Sequence, residues 1–269
     1  MKRLPCSFSI FSVAMLAACG GNTNGPDTTA LAAKVSVATA PAGTLTVELL
    51  TDSKLATGLT PIYIKLTGLT GAPVTDATVS FVPMMAMANG KNHSCPTMGL
   101  PTLGDDLTYH VSAVFQMASS DVDNWSATVN VTQADGTAVQ AIFPQLVVTD
   151  SGRAKVFTYT DPVSSTATKY VSSLNLVSSP RVGLNPIVFT LHTMQDMTTF
   201  PSIDGAVIAL DPEMPSMGHG SPGSVAPTLT APGRYEGQLS FSMTGEWQTT
   251  VTIQVDEVVI GAPVFTTEF

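Results

Sequence analysis

From about residue 58 onward the sequence is one pattern written twice, and a chain of that kind folds as one module made twice. Gly58-Leu59-Thr60-Pro61-Ile62-Tyr63-Ile64-Lys65-Leu66 is matched by Gly183-Leu184-Asn185-Pro186-Ile187-Val188-Phe189-Thr190-Leu191. Ala77 to Phe81 is answered by Gly205 to Ala209, and His93-Ser94-Cys95-Pro96 by His219-Gly220-Ser221-Pro222. Tyr109, Phe115, Met117, Trp125 and Val129 recur as Tyr235, Phe241, Met243, Trp247 and Val251, and His precedes Tyr by sixteen residues in both copies.

Within each copy the apolar residues keep a period of two. Ile62, Ile64 and Leu66 alternate with Tyr63 and Lys65, which marks a half-buried strand. Pro61 and Pro186 stand at strand starts, where a missing N–H is tolerated. Gly68 to Asp76 and Phe200 to Gly205 read as turns, and no stretch keeps a helical stripe. About seven short strands in a hundred residues fit an immunoglobulin-like sandwich, with Trp125 and Trp247 between the sheets. The fold class expected is therefore all-β: two tandem immunoglobulin-like β-sandwiches. The copies join near Asp150-Ser151-Gly152, which places the first sandwich at 43–150 and the second at 151–269. Lys155 to Ser173 has no evident counterpart and reads as an added strand or a wall between the units.

The first 42 residues carry no such pattern. Lys2 and Arg3 precede an apolar run from Phe8 to Ala18, too short to span a membrane and shaped as an export signal over 1–18. The run closes Leu16-Ala17-Ala18-Cys19-Gly20, which resembles the lipobox of bacterial lipoproteins. That resemblance implies cleavage before Cys19, its lipidation with acyl chains such as palmitate, and a membrane anchor. Gly20 stands where an Asp would hold the protein at the inner membrane, so the outer membrane, facing the periplasm, is the address implied. Residues 19–42, rich in Gly, Asn, Thr, Ala and Pro, read as a flexible tether.

Removing Lys2 and Arg3 with the leader leaves 9 basic against 20 acidic side chains, a net charge of −11. That balance argues against nucleic acid as a partner and against adhesion to anionic lipid through a basic patch. Cys6 leaves with the leader and Cys19 goes to lipid. Cys95 then stands alone in an oxidising compartment, either buried and inert or kept for metal or redox chemistry.

In the second copy, Gly-x-Asn-Pro-Ile opens a strand and Met-Pro-x-Met-Gly-His (Met214 to His219) follows on a loop. Gly-x-Tyr-x-Gly and Phe-x-Met-x-Gly-x-Trp complete the pattern. Over residues 183 to 251 this resembles the YtkA-like domains of bacterial envelope lipoproteins, related to FixH-like and CopC-type proteins. The resemblance implies a β-sandwich with an envelope role and metal handling, with a copper donor or acceptor, or an assembling oxidase, as partner. The first copy departs from it: its loop is longer and Lys91 stands at the place of Met217.

All ten methionines after the leader fall between Met84 and Met117 or between Met194 and Met243. Thioethers beside an imidazole are the soft donor set that suits Cu(I). The candidate ligands are Met214, Met217, His219 and Met243 in the second copy, and Met85, Met87, His93, Cys95 and Met117 in the first. His192, Met194 and Met197 form a further cluster whose place in the fold the sequence does not give. Packing is the alternative for all of them, since Met fills irregular gaps against aromatic rings; the chain is then a structural or protein-binding module with no metal. Zinc would call for Cys pairs or closely spaced His. A Gly-x-Ser-x-Gly elbow on Ser221 would need glycine where His219 sits. No catalytic constellation is seen, so no enzymatic activity is expected.

Overall fold

The computed structural model describes residues 34–269, which contain strands, turns and no helix. The leader, Cys19 and the tether up to residue 33 lie outside the described residues.

The first copy supplies β1 (Val35–Ala42), β2 (Leu45–Thr51), β3 (Gly58–Thr67), β4 (Thr78–Ala86), β5 (Asn92–His93), β6 (Thr102–Leu103), β7 (Tyr109–Phe115), β8 (Asn124–Thr132) and β9 (Ala138–Leu146). The second supplies β10 (Ala154–Thr160), β11 (Ala167–Leu176), β12 (Gly183–Met194), β13 (Val207–Met214), β14 (His219–Gly220), β15 (Val225–Ala231), β16 (Arg234–Phe241), β17 (Glu246–Val255), β18 (Val258–Gly261) and β19 (Val264–Glu268). Sheet β1-β2-β3-β7-β6 faces β5-β4-β8-β9, and sheet β10-β11-β12-β16-β15 faces β14-β13-β17-β18, with β19 paired to β17. All strand pairs in these sheets are antiparallel. The all-β sandwich architecture read from the sequence is the one observed.

Each pair of sheets closes on its own core. One core runs from Ala40 to Val148 and holds Trp125 and Phe115; the other runs from Leu174 to Phe265 and holds Trp247, Phe241 and Tyr235. The alternating strands explain this directly: β8 buries Trp125, Ala127, Val129 and Val131 and leaves the residues between them half-buried. The duplication reaches the hydrogen bonds. The Trp125 Nε1–H donates to the Met117 carbonyl (2.9 Å), as Trp247 Nε1–H does to Met243 (3.0 Å). Tyr109 Oη accepts from the Ala77 N–H (3.0 Å), as Tyr235 Oη does from Ala206 (3.1 Å).

Two sequence expectations are corrected here, and they are one error. The tether does not extend to Ala42: residues 35–42 are β1, paired along their length with β2 and burying Ala40 and Ala42. Small side chains and two threonine/proline positions gave β1 too weak an alternation to register as a strand. Lys155 to Ser173 is accordingly not an insertion. Its hairpin β10–β11 sits beside β12 as β1–β2 sits beside β3, so it is the counterpart of the strands mistaken for tether. The reading of that segment as a wall between the units does match what β11 does.

The face of β11 and β12 turned away from the second core is also buried: Val171, Ser173, Asn175, Val188, Thr190 and His192. The first sandwich lies against it. The Leu59 N–H donates to Asn175 Oδ1 at 3.1 Å, and the Ser94 N–H donates to the Met197 carbonyl at 2.7 Å. At the connection, Thr57 Oγ1 donates to Asp150 Oδ1 (3.0 Å) and accepts from the Ser151 N–H (2.9 Å).

Candidate functional site

The loop after β13 turns back tightly. The Met214 carbonyl accepts from the N–H groups of Met217 (3.1 Å) and Gly218 (2.9 Å), and Gly218 takes φ of +63°. This makes Met214 and His219 direct cross-strand partners. The four candidate ligands of this copy then separate by depth. Met214 is 3% exposed, its thioether end lying under Gly245, where a Cβ would come within 3.0 Å of Met214 Cε and 3.8 Å of Sδ. Met217 points outward at 62% exposure, and Met243 is 38% exposed beside Trp247. His219 is half-buried, with its ring edge-on to the Trp247 ring at 5.8 Å. Its Nδ1 lies 3.1 Å from the Gly220 carbonyl, which fixes Nδ1 as the protonated nitrogen and leaves Nε2 its lone pair.

The first copy has the same parts, sealed. Met85 and His93 are cross-strand partners, the His93 ring is edge-on to Trp125 at 5.4 Å, and Met85 is fully buried. His93 is only 4% exposed. Its Nδ1 lies 2.8 Å from the Ser94 carbonyl, and the Gln116 amide nitrogen lies 3.1 Å from Nδ1 and 2.8 Å from that same carbonyl. His93 Nε2 and Gln116 Oε1 are buried without a hydrogen-bond partner. Met117 is half-buried on the core, and Met87 belongs to its own turn, its N–H donating to Lys91. Gln116 was not singled out from the sequence. The signal was there in the repeat, because Ser242 occupies the same place between Phe241 and Met243.

Cys95 is buried, and desolvation pushes its thiol far above the ordinary cysteine range despite a backbone hydrogen bond near Val114. A thiol held protonated is a poor nucleophile. Incubation of the folded protein with a disulfide reagent at pH 8 is expected to leave Cys95 unmodified for hours, with full reaction once denaturant is added. Stoichiometric labelling of the native protein within minutes would contradict this placement.

His192, Met194 and Met197 do not join the Met214–His219 loop of their own copy. His192 is buried on β12, and Met197 lies at the turn whose carbonyl meets Ser94 of the first sandwich. Among the described residues, no three His, Cys, Asp or Glu side chains are grouped to hold an ion.

The molecule is thus an all-β protein of immunoglobulin-like sandwiches, each ending in a His–Trp–Met cluster, open in the second and closed in the first. Within it, residues 165–252, from β11 into β17, match the family described as YtkA-like. No curated protein matches the chain.

Proposed function

We propose that this chain is a non-catalytic, lipid-anchored protein of the bacterial envelope, held at the outer membrane through Cys19, that binds Cu(I) at the open end of its second sandwich. The observation that carries the reading is the state of His219: Nδ1 is committed to the Gly220 carbonyl, so Nε2 offers a lone pair at a half-exposed rim. Met217 and Met243 are the accessible thioethers on the two segments that flank this ring, and Met214 is its cross-strand partner beneath. Neutral donors of this kind hold a monovalent soft ion without having to lose a proton. The export leader, the acidic surface and the YtkA-like match over 165–252 support an envelope carrier, buffer or assembly factor that exchanges copper with another envelope protein.

The first sandwich, with His93 buried, is assigned no exchangeable metal in this reading. Titration with Cu(I) against a competing chelator is expected to show one site. His219→Ala with Met217→Leu weakens it roughly 100-fold, about 2.7 kcal/mol, while His93→Ala leaves it unchanged. Equal affinity in wild type and the double variant would sink the site.

A second reading has its own observation. Met85 and Met214 both lie inside the cores against Trp125 and Trp247, the arrangement expected of a gap-filling thioether. On that reading the two clusters are end plugs of a structural or protein-binding module. The same titration separates the two, since a plug gives no saturable Cu(I) binding at all.

A further inference from the structure

The loop that carries the repeated His-x-x-Pro sits at different depths in the two copies. His93, Ser94, Cys95 and Pro96 are all buried, whereas His219 is half-buried and Gly220 and Pro222 are exposed. What touches the loop from outside its own sandwich also differs. The Ser94 N–H donates at 2.7 Å to the carbonyl of Met197, in the turn that follows β12 of the second sandwich. Among the described residues, no hydrogen bond joins His219, Gly220 or Ser221 to the first sandwich.

The turn that makes this contact is the part of the second copy that has grown. Equivalent bonds close the two turns, from the Gly68 N–H to the Ala72 carbonyl and from the Thr193 N–H to the Pro201 carbonyl, both at 2.9 Å. Leu69-Thr70-Gly71 lies inside the first bond and the longer Met194 to Phe200 inside the second, with Met197 at its centre. The longer turn is braced from within. Asp196 Oδ1 accepts from the N–H groups of Thr198 and Thr199, both at 2.7 Å, and from Thr198 Oγ1–H at 3.0 Å. A turn tied at its base and braced inside presents its tip with little further loss of conformational freedom.

The buried loop does not close for the sake of its own hydrogen bonds. His93 Nε2 and Gln116 Oε1 have lost water and gained no partner. Opening would return both to water, so this part of the balance favours an open loop. We infer that the 194–200 turn is a built-in inhibitory lid, holding shut at His93, beside Met85, a latent soft-donor site whose counterpart at His219 stands open. That the ion admitted is Cu(I) rests on the reading of the second sandwich given above; the lid does not.

Diethyl pyrocarbonate acylates neutral imidazole nitrogens, and peptide mass analysis resolves its rate at each histidine. In the intact protein at neutral pH, His93 is expected to react at least tenfold more slowly than His219. Replacing Met194–Phe200 by the first copy's own Leu69-Thr70-Gly71 raises the His93 rate at least tenfold and leaves that of His219 unchanged. The Leu59 N–H stays protected from exchange in this graft, because β3 still packs on β11. Should the graft not fold, Asp196→Ala, an exposed position that only loosens the turn, raises the His93 rate at least threefold. Titration of the graft with Cu(I) gains a second site that His93→Ala removes. An unchanged His93 rate in a folded variant, or a wild-type His93 as reactive as His219, would overturn the lid. A reactive His93 without a second site, in a graft that still binds Cu(I) at His219, would overturn the latent site. If no form of the protein binds Cu(I), the copper reading fails, and the His93 rates alone decide the lid.

Discussion

Gly58→Ala is expected to destabilise the protein by about 4 kcal/mol, and Gly183→Ala by about half of that. The two glycines hold the same place in the repeat: each opens its strand opposite the matching phenylalanine, Phe115 or Phe241. Their backbones are alike too, with φ of +99° and +98°, a conformation that costs an alanine about 1–3 kcal/mol. What differs is the surroundings. A Cβ at Gly183 would meet nothing within 4 Å, whereas one at Gly58 would lie 2.7 Å from Asn175 Oδ1 and 2.8 Å from Arg153 Cβ. The added methyl must therefore push β3 off β11, and it strikes the amide that accepts the neighbouring Leu59 N–H. Urea unfolding of both variants gives the difference, and hydrogen exchange at Leu59 shows whether the junction has opened. Equal losses in the two variants, with Leu59 still protected, would mean that the sandwiches are not packed as described.

Stability is expected to fall by roughly 3 kcal/mol between about pH 6.5 and pH 4, through His192. The ring is 3% exposed on β12, and its Nδ1 has no hydrogen-bond partner. Gly233 packs so close that a Cβ there would come within 2.9 Å of Nε2. Burial pushes the imidazole down to about 4, with Asp204 opposing only in part. The sign follows from which state binds the proton. Above the ordinary histidine value both states are neutral and nothing is lost. As pH falls through that value the unfolded chain takes a proton that the folded one refuses, and unfolding becomes easier at about 1.4 kcal/mol per pH unit until the folded ring also protonates near pH 4. His110 is also shifted down, but its ring is half-exposed beside Asp106 and adds little. Denaturation midpoints measured across this range should slope in the wild type and lie nearly flat in His192→Gln. A slope of the same size in the variant would assign the effect elsewhere.

The sandwiches were legible because their signal is local and repeated. Alternation in β3, β8 and β17 and the paired Tyr and Trp landmarks are properties of short stretches, and having the landmarks twice removes most of the ambiguity. β1 escaped because its residues are small: Ala38, Ala40 and Ala42 differ little from a linker in composition, and only the open edge of β2 makes them a strand. Missing β1 made its counterpart β10–β11 look like an insertion. The candidate ligands were legible as residue types and as neighbours along the chain, but their depth was not. Met214 and Met217 are three residues apart, yet one ends in the core and the other in solvent, because Met214 closes strand β13 on its buried side while Met217 sits in the exposed turn that Gly218 completes.

By itself, then, the sequence determined an acidic β-chain with one strand pattern written twice and methionines and a histidine clustered in each copy. Periodicity and spacing are written in one dimension and need no partner to be read. Only the tertiary structure decided that His93 is buried beside Gln116 while His219 stands at an open rim, and that Lys54, Arg153 and Arg234 meet in one cleft. Those relations join residues tens to more than a hundred positions apart. They exist only once the sheets have stacked and the first sandwich has come to rest on β11 and β12.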